Sequence, residues 1–95
     1  MAIDKNLLPQ NFSLNSYPNP FNPVVAVSFA IPEMGFVSVN VFDIRGRELA
    51  ALSNQNYQPG YYSANWNASA YSSGVYFISL KTNGTTITQK VLLLK

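Results

Sequence analysis

Few side chains in this sequence could catalyse a reaction or bind a metal. The chain contains no cysteine and no histidine, which excludes disulfides, thiolate or imidazole metal ligands, and nucleophiles that depend on Cys or His. Its only carboxylates are Asp4, Glu33, Asp43 and Glu48. Asp43 and Glu48 flank a turn at Arg45-Gly46-Arg47, where we expect a solvated salt-bridge cluster. A catalytic pair would need a cleft and a raised pKa in one partner. We therefore expect no metal or cofactor. The alternative is a calcium site formed by Asp43 and the carbonyls of loop Asn residues.

A second group of candidate residues is aromatic and crowded between positions 57 and 71. Strand alternation predicts that Tyr62 and Trp66 face inward. Tyr57, Tyr61 and Tyr71 then remain as candidates for a flat carbohydrate-binding surface. Packing in the core and anchoring of loops are the simpler roles for these rings, so carbohydrate binding is kept as an alternative.

Composition and charge restrict the possible partners. The 95 residues, 47% of them hydrophobic, suffice for one folded domain or for a piece of a longer chain. Six basic and four acidic side chains give a net charge of +2 without a Lys/Arg cluster, so we expect no nucleic-acid binding. No apolar run is long enough to span a membrane, and no signal-peptide pattern opens the sequence.

Apolar and polar residues alternate with the period of a β-strand along most of the chain. Turn signals separate the segments every eight to twelve residues, and no helical pattern appears, which predicts an all-β, immunoglobulin-like antiparallel sandwich of about seven strands. The sandwich is expected over residues 12–95, after a lead-in at 1–11. Predicted strands cover 12–17, 24–31, 36–43, 47–52, 61–66, 75–82 and 85–94. The segment 53–60 is polar, and Pro59-Gly60 marks a turn at its end. The predicted core contains Phe29, Val39, Val41, Trp66, Tyr76, Ile78 and Val91.

Some positions admit two interpretations. Leu49 and Leu52 are three residues apart, so either a β-bulge turns both inward or the segment forms a helical turn. Tyr76 lies where a tyrosine corner would bond back to the Ser72–Ser73 loop, although an ordinary core tyrosine would also suit this position. Gln89 falls on the inward face of the last strand, for which the pattern supplies no reason.

The segment Pro18, Asn19, Pro20, Phe21, Asn22 and Pro23 predicts a stiff, non-helical connector. Its prolines fix φ and remove backbone donors, and each preceding residue is pushed towards extended geometry. We expect Phe21 to be anchored in the core, with an exposed polyproline recognition motif as the alternative.

The end of the chain carries the candidate docking residues Lys90, Leu92, Leu94 and Lys95. Alternation directs Lys90, Leu92 and Leu94 outward, and outward leucines are unusual on the surface of a monomer. A terminal strand is commonly an edge that a partner strand can extend. Fraying of the terminus is the alternative interpretation.

Three blocks of sequence, taken in order, resemble a known family. They are Tyr17 to Ile31 with its proline-rich start; Pro32 to Asp43 followed by Gly46-Arg47-Glu48; and Trp66-Asn67-Ala68-Ser69 through Ser73-Gly74-Val75-Tyr76-Phe77 to Lys90–Lys95. Over residues 8–95 the chain resembles the C-terminal sorting domain of cargo proteins of the type IX secretion system of Bacteroidetes and related phyla. The family's Trp-Asp pair is Trp66-Asn67 here. The same blocks are also similar to the immunoglobulin-like domain of flagellar hook-capping proteins.

This resemblance implies a signal rather than a catalyst. Such a domain directs an upstream passenger protein from the periplasm across the outer membrane, so that the product is secreted or held at the cell surface. Implied partners are outer-membrane components of the secretion machinery and a sortase-like peptidase that would cleave in or before residues 1–11. A carbohydrate-binding module, or a purely structural sandwich appended to a secreted enzyme, is the alternative.

Overall fold

A computed structural model describes residues 8–95. The predicted lead-in therefore lies outside the described residues except at positions 8–11. Residues 8–95 contain seven strands and no helix, and all strand pairing is antiparallel. The strands are β1 (Ser13–Tyr17), β2 (Val24–Ile31), β3 (Gly35–Phe42), β4 (Glu48–Tyr57), β5 (Gly60–Asn67), β6 (Gly74–Thr82) and β7 (Thr85–Leu93).

The strands form two sheets, in the orders β1-β2-β5 and β4-β3-β6-β7. The predicted all-β sandwich is confirmed. Period-two alternation turns one side of each strand towards the opposite sheet, and burial of each large apolar side chain there stabilises the fold by about 1.5–3 kcal/mol. All seven predicted core residues are buried: Phe29, Val39, Val41, Trp66, Tyr76, Ile78 and Val91.

β4 differs most from its prediction. The predicted strand covered 47–52 and was followed by a polar segment, but β4 continues to Tyr57 and pairs with β3 as far as Gly35. β4 is an edge strand, so its polar side chains can face water while its backbone pairs with β3. Tyr57 itself is buried and lies edge-on to Phe29, with ring centroids 5.4 Å apart.

Of the two interpretations of Leu49 and Leu52, the β-bulge is confirmed, and it occurs at two places in β4. Val39 lies opposite Ser53 and Asn40 opposite Ala51, which leaves Leu52 without an opposite residue. At the second bulge, Val41 lies opposite Ala50 and Phe42 opposite Glu48, so Leu49 has no opposite residue. Both leucines pack partly buried against the core, so the helical-turn alternative is wrong. Gln89 is half-buried on edge strand β7, where its amide keeps access to solvent.

Candidate functional site

The described acidic residues do not converge on a catalytic or metal site. The Asp43 carboxylate accepts the backbone N–H groups of Arg45 at 2.9 Å and Arg47 at 3.0 Å, and the Arg47 Nε donates to it at 2.9 Å. These bonds, led by the one from the Arg47 backbone, hold the pKa of Asp43 below its ordinary value. Glu48 is exposed and takes no part, so the expected cluster is reduced to one ion pair. Within residues 8–95, no group of three His, Cys, Asp or Glu side chains could hold a metal.

The aromatic residues do not form a carbohydrate-binding platform. Of the three candidate rings, Tyr57 is buried in the core, and Tyr71 packs against Trp66 at 5.6 Å and donates to the Leu49 carbonyl at 3.3 Å. Only Tyr61 is well exposed, at 66%. That alternative therefore loses the flat, multi-ring surface on which it depends.

Two of these rings, Trp66 and Tyr71, instead support the end of the domain where β7 finishes. Phe21 lies 5.8 Å from Trp66, and Tyr76 lies 5.3 Å from Trp66, between ring centroids. Together with Tyr71 they form a cluster that we call the aromatic anchor (Phe21, Trp66, Tyr71 and Tyr76). The expected anchoring of Phe21 is confirmed, because only 2% of its surface is exposed.

Tyr76 closes a tyrosine corner beside this cluster. Its hydroxyl donates to the Ser72 carbonyl at 2.6 Å, which decides for the corner between the two interpretations that the sequence left open. Gly74, at the start of β6, has a φ of 154°, a conformation that residues with a side chain rarely adopt. The corner therefore fixes the 72–76 segment against which the chain terminus lies.

The proline-rich connector is fastened to the outer edge of β7. The Phe21 N–H donates to the Leu92 carbonyl at 2.9 Å, and the Leu94 N–H donates to the Phe21 carbonyl at 3.0 Å. The Asn19 carboxamide adds two more bonds, donating to the Lys90 carbonyl and accepting the Leu92 N–H, both at 3.0 Å. A carboxamide offers one donor group and one acceptor, so Asn19 pairs with the strand as a peptide unit would. We call these four hydrogen bonds the connector clip.

The clip corrects one sequence-based expectation. β7 was expected to be an open edge at its end, whereas its outward backbone groups between the Lys90 carbonyl and the Leu94 N–H are paired with Asn19 and Phe21. Outward groups recur at every second residue of an antiparallel strand. Among the residues that the structure describes, those of Thr86 and Thr88 have no backbone partner. Along β7, strand addition would thus find an open edge only in the first part of the strand.

The four candidate docking residues lie together at the end of β7. Lys90 is exposed, Leu92 is half-buried and Leu94 is 50% exposed. The Lys95 N–H donates to the Ser73 hydroxyl at 2.9 Å, and its ammonium donates to the Ser69 carbonyl at 2.7 Å. These bonds fix the terminus against the 69–73 loop, which argues against the fraying interpretation. The roles of Asn19, Ser69 and Ser73 in this arrangement were not apparent from the sequence, because no local pattern reports their contacts with β7.

Fold and site together define a β-sandwich signal or interaction module whose distinctive residues hold its last strand in place. Residues 15–94 match the model of the family described as the secretion system C-terminal sorting domain. The chain belongs to this family. A search of curated proteins and a search of solved structures each returned no match.

Family membership establishes the activity of the domain. It is a non-catalytic C-terminal sorting signal for type IX secretion, it interacts with that secretion machinery, and it sends its protein to the outside of the cell or to the cell surface. Within residues 8–95, no helix is both long and apolar enough to cross a membrane.

Proposed function

We propose that this domain carries an upstream passenger protein across the outer membrane after outer-membrane components of the machinery recognise the end of β7. Lys90, Leu92, Leu94 and Lys95 are the docking residues in this proposal. Any catalytic activity of a full-length protein belongs to the passenger. A sortase-like peptidase then cuts in or before residues 1–11, upstream of the sandwich.

The connector clip is the observation that best supports this docking site. A terminal strand that ends in water would present its side chains in many arrangements, and binding would have to overcome the entropy of ordering them. Here four hydrogen bonds and the aromatic anchor hold the strand end. The backbone that carries the outward side chains is therefore fixed before a partner binds.

The test is a reporter fused ahead of residue 1 and expressed in a host with a working type IX system. Leu94→Ser removes an exposed apolar side chain but keeps the backbone bond to Phe21, so we expect the reporter to accumulate in the periplasm. Tyr61→Ser is the matched control, since it removes an exposed ring from the other sheet. Surface and periplasmic reporter are measured together with the melting temperature of each variant.

Side-chain variants test recognition better than deletion of Leu94-Lys95, because that deletion would also remove three hydrogen bonds that fix the terminus. Normal export by a folded Leu94→Ser, Lys95→Ser double variant would exclude the end of β7 as the docking site. Failure of the unaltered domain to export a reporter in several competent hosts would favour a purely structural module instead.

A further inference from the structure

The outer face of the four-stranded sheet carries a continuous apolar strip next to the end of β7. Phe42 of β3 lies opposite Phe77 of β6, and Val75 of β6 lies opposite Leu92 of β7. Residues directly opposite each other on antiparallel strands point to the same face. Their chain neighbours Val41, Tyr76, Ile78 and Val91 are buried, so the strip points away from the core. We define the apolar strip as Phe42, Val75, Phe77, Leu92 and Leu94.

The strip occupies only one end of that face. Farther along the same strands the outward positions are polar: Asn40, Ser79 and Thr88 form one row, and Ser38, Lys81 and Thr86 form the next. A sheet with one solvated face normally carries polar residues along its whole outer side. Phe36, which is 53% exposed, lies on the same face at the far end of β3, beyond the polar rows. The continuous apolar strip lies at the end where the proposed docking residues are.

Cations border the strip. Lys90 is exposed and lies opposite Phe77, and Arg45 lines the same hollow as Val75. The nearby Asp43 carboxylate already pairs with Arg47, the one salt bridge found within residues 8–95, and Glu48 is the other acid beside the strip, opposite Phe42. Lys90 and Arg45 thus outnumber the unpaired acid. The matching partner surface is apolar with a rim of carboxylates, and a second copy of this chain would instead bring like charges together.

We infer that the secretion machinery binds this domain face-on, with an apolar, carboxylate-rimmed protein surface packed across the apolar strip as far as Phe42, rather than by adding a strand to β7. The inference rests on the proposed function and extends its site from one strand to three. Strand addition at the end of β7 would first have to break the four bonds of the connector clip. Face-on packing leaves the clip intact and uses the side chains that it holds in place.

The same reporter fusion tests this mode of binding. Phe42→Thr and Phe77→Thr replace strip residues with another good strand former, and each should lower surface reporter about tenfold, as loss of a central interface residue commonly does. Thr88→Pro removes an outward N–H from the open part of the edge without altering the strip. It should export normally, because proline is tolerated on edge strands.

A matched pair of charge reversals tests the rim and does not depend on the folding of the Phe variants. Lys90 and Lys81 are exposed lysines on the same face, one beside the strip and one in the polar rows. Lys90→Glu should reduce export about tenfold through charge repulsion, and Lys81→Glu should not. Equal export by these two variants would contradict a carboxylate-rimmed partner.

Other outcomes would overturn the inference in distinguishable ways. Loss of export in a folded Thr88→Pro variant, with normal export by Phe77→Thr, would show strand addition. Normal export by both Phe variants alongside failure of Leu94→Ser would confine docking to β7 and leave the proposed function standing. Flotation of the purified chain with phosphatidylglycerol vesicles, lost in Lys90→Glu, would identify an anionic lipid surface as the occupant instead.

Discussion

At the scale of single residues, Asn19 has the most specific role in the structure. Its side chain bonds to β7 at positions 71 and 73 residues away in sequence. The flanking Pro18 and Pro20 lack backbone N–H groups, so the connector cannot pair with the strand through those positions. The Asn19 carboxamide supplies the missing donor and acceptor.

Replacing this carboxamide should weaken the domain measurably. Asn19→Ala removes two solvent-exposed hydrogen bonds. We expect the free energy of unfolding to fall by about 0.5–1.5 kcal/mol. For a domain of this size, each kcal/mol lost lowers the melting temperature by roughly 4–8 °C. Asn22→Ala is the control, because Asn22 is an exposed residue of the same connector. Equal losses in the two variants, measured by thermal and urea unfolding, would contradict the role of the clip.

Asp43 links the stability of the β3–β4 turn to pH. Its pKa is lowered in the folded state, first by the Arg47 backbone N–H. The ionised group therefore adds stability above its unfolded pKa of about 3.9, and this contribution is lost as the pH falls through the lower folded value. The stability difference between the original chain and Asp43→Asn should shrink as the pH drops below about 4. NMR titration of the carboxyl should give a pKa below that of a model peptide, and a normal pKa would disprove the bonding of this turn.

At the scale of elements, alternation predicted the strands best where both chemistry and burial vary with period two. β2 and β6 show this clearly, with Val25, Val27 and Phe29 buried in one and Tyr76, Ile78 and Leu80 in the other. The second half of β4 could not be found this way. Asn54, Gln55 and Asn56 are consecutive polar residues, so no apolar residue alternates with them. They form a strand because their backbone pairs with β3.

The candidate site was predictable to a similar extent. The outward leucines near the terminus indicated the end of the last strand as a candidate docking site, and the position of Tyr76 was compatible with a tyrosine corner. The connector clip could not be predicted, because it joins two segments about 70 residues apart through one side chain and one backbone unit. Local sequence carries no record of such a contact.

The aromatic anchor should be the main energetic support of the connector. Phe21→Ala would leave a cavity beside Trp66, and we expect a loss of about 3–5 kcal/mol, the usual cost of truncating a buried Phe. Tyr61→Ala, at an exposed ring, should change stability by only about 0.5 kcal/mol or less. Chemical unfolding of both variants measures the contrast. A loss below about 1 kcal/mol for Phe21→Ala would mean that the ring is not buried as described.

At the scale of the whole molecule, the chain enters the sandwich at one end and leaves it at the other. Phe12, before β1, lines a hollow with Met34, Phe36 and Thr82, at the end where β6 finishes. Lys95 is bonded to Ser69 and Ser73, where β6 begins. The nine residues of β6 separate these ends by about 26 Å, at a rise of 3.3 Å per residue.

The separation between the side where Phe12 lies and the side where Lys95 lies predicts which fusions can be exported. A reporter ahead of residue 1 joins the chain on the side where Phe12 lies, far from the end of β7, and should pass to the cell surface. The same reporter placed after Lys95 would cover the end of β7 and should stay in the periplasm. Fractionation of the two fusions measures the difference, with reporter activity in whole-cell lysate as the control for folding. Equal export of both would contradict recognition at the C-terminal end.

The connector clip also bears on how such cargo survives its transit. Unpaired strand edges are the usual template for aggregation and domain swapping between copies of a β-protein. By pairing the outward groups of β7 from the Lys90 carbonyl to the Leu94 N–H with its own connector, the domain leaves only the first half of this edge for a neighbouring copy to extend. Pairing between neighbouring cargo molecules through the end of β7 is thereby blocked, while the proposed docking side chains stay uncovered.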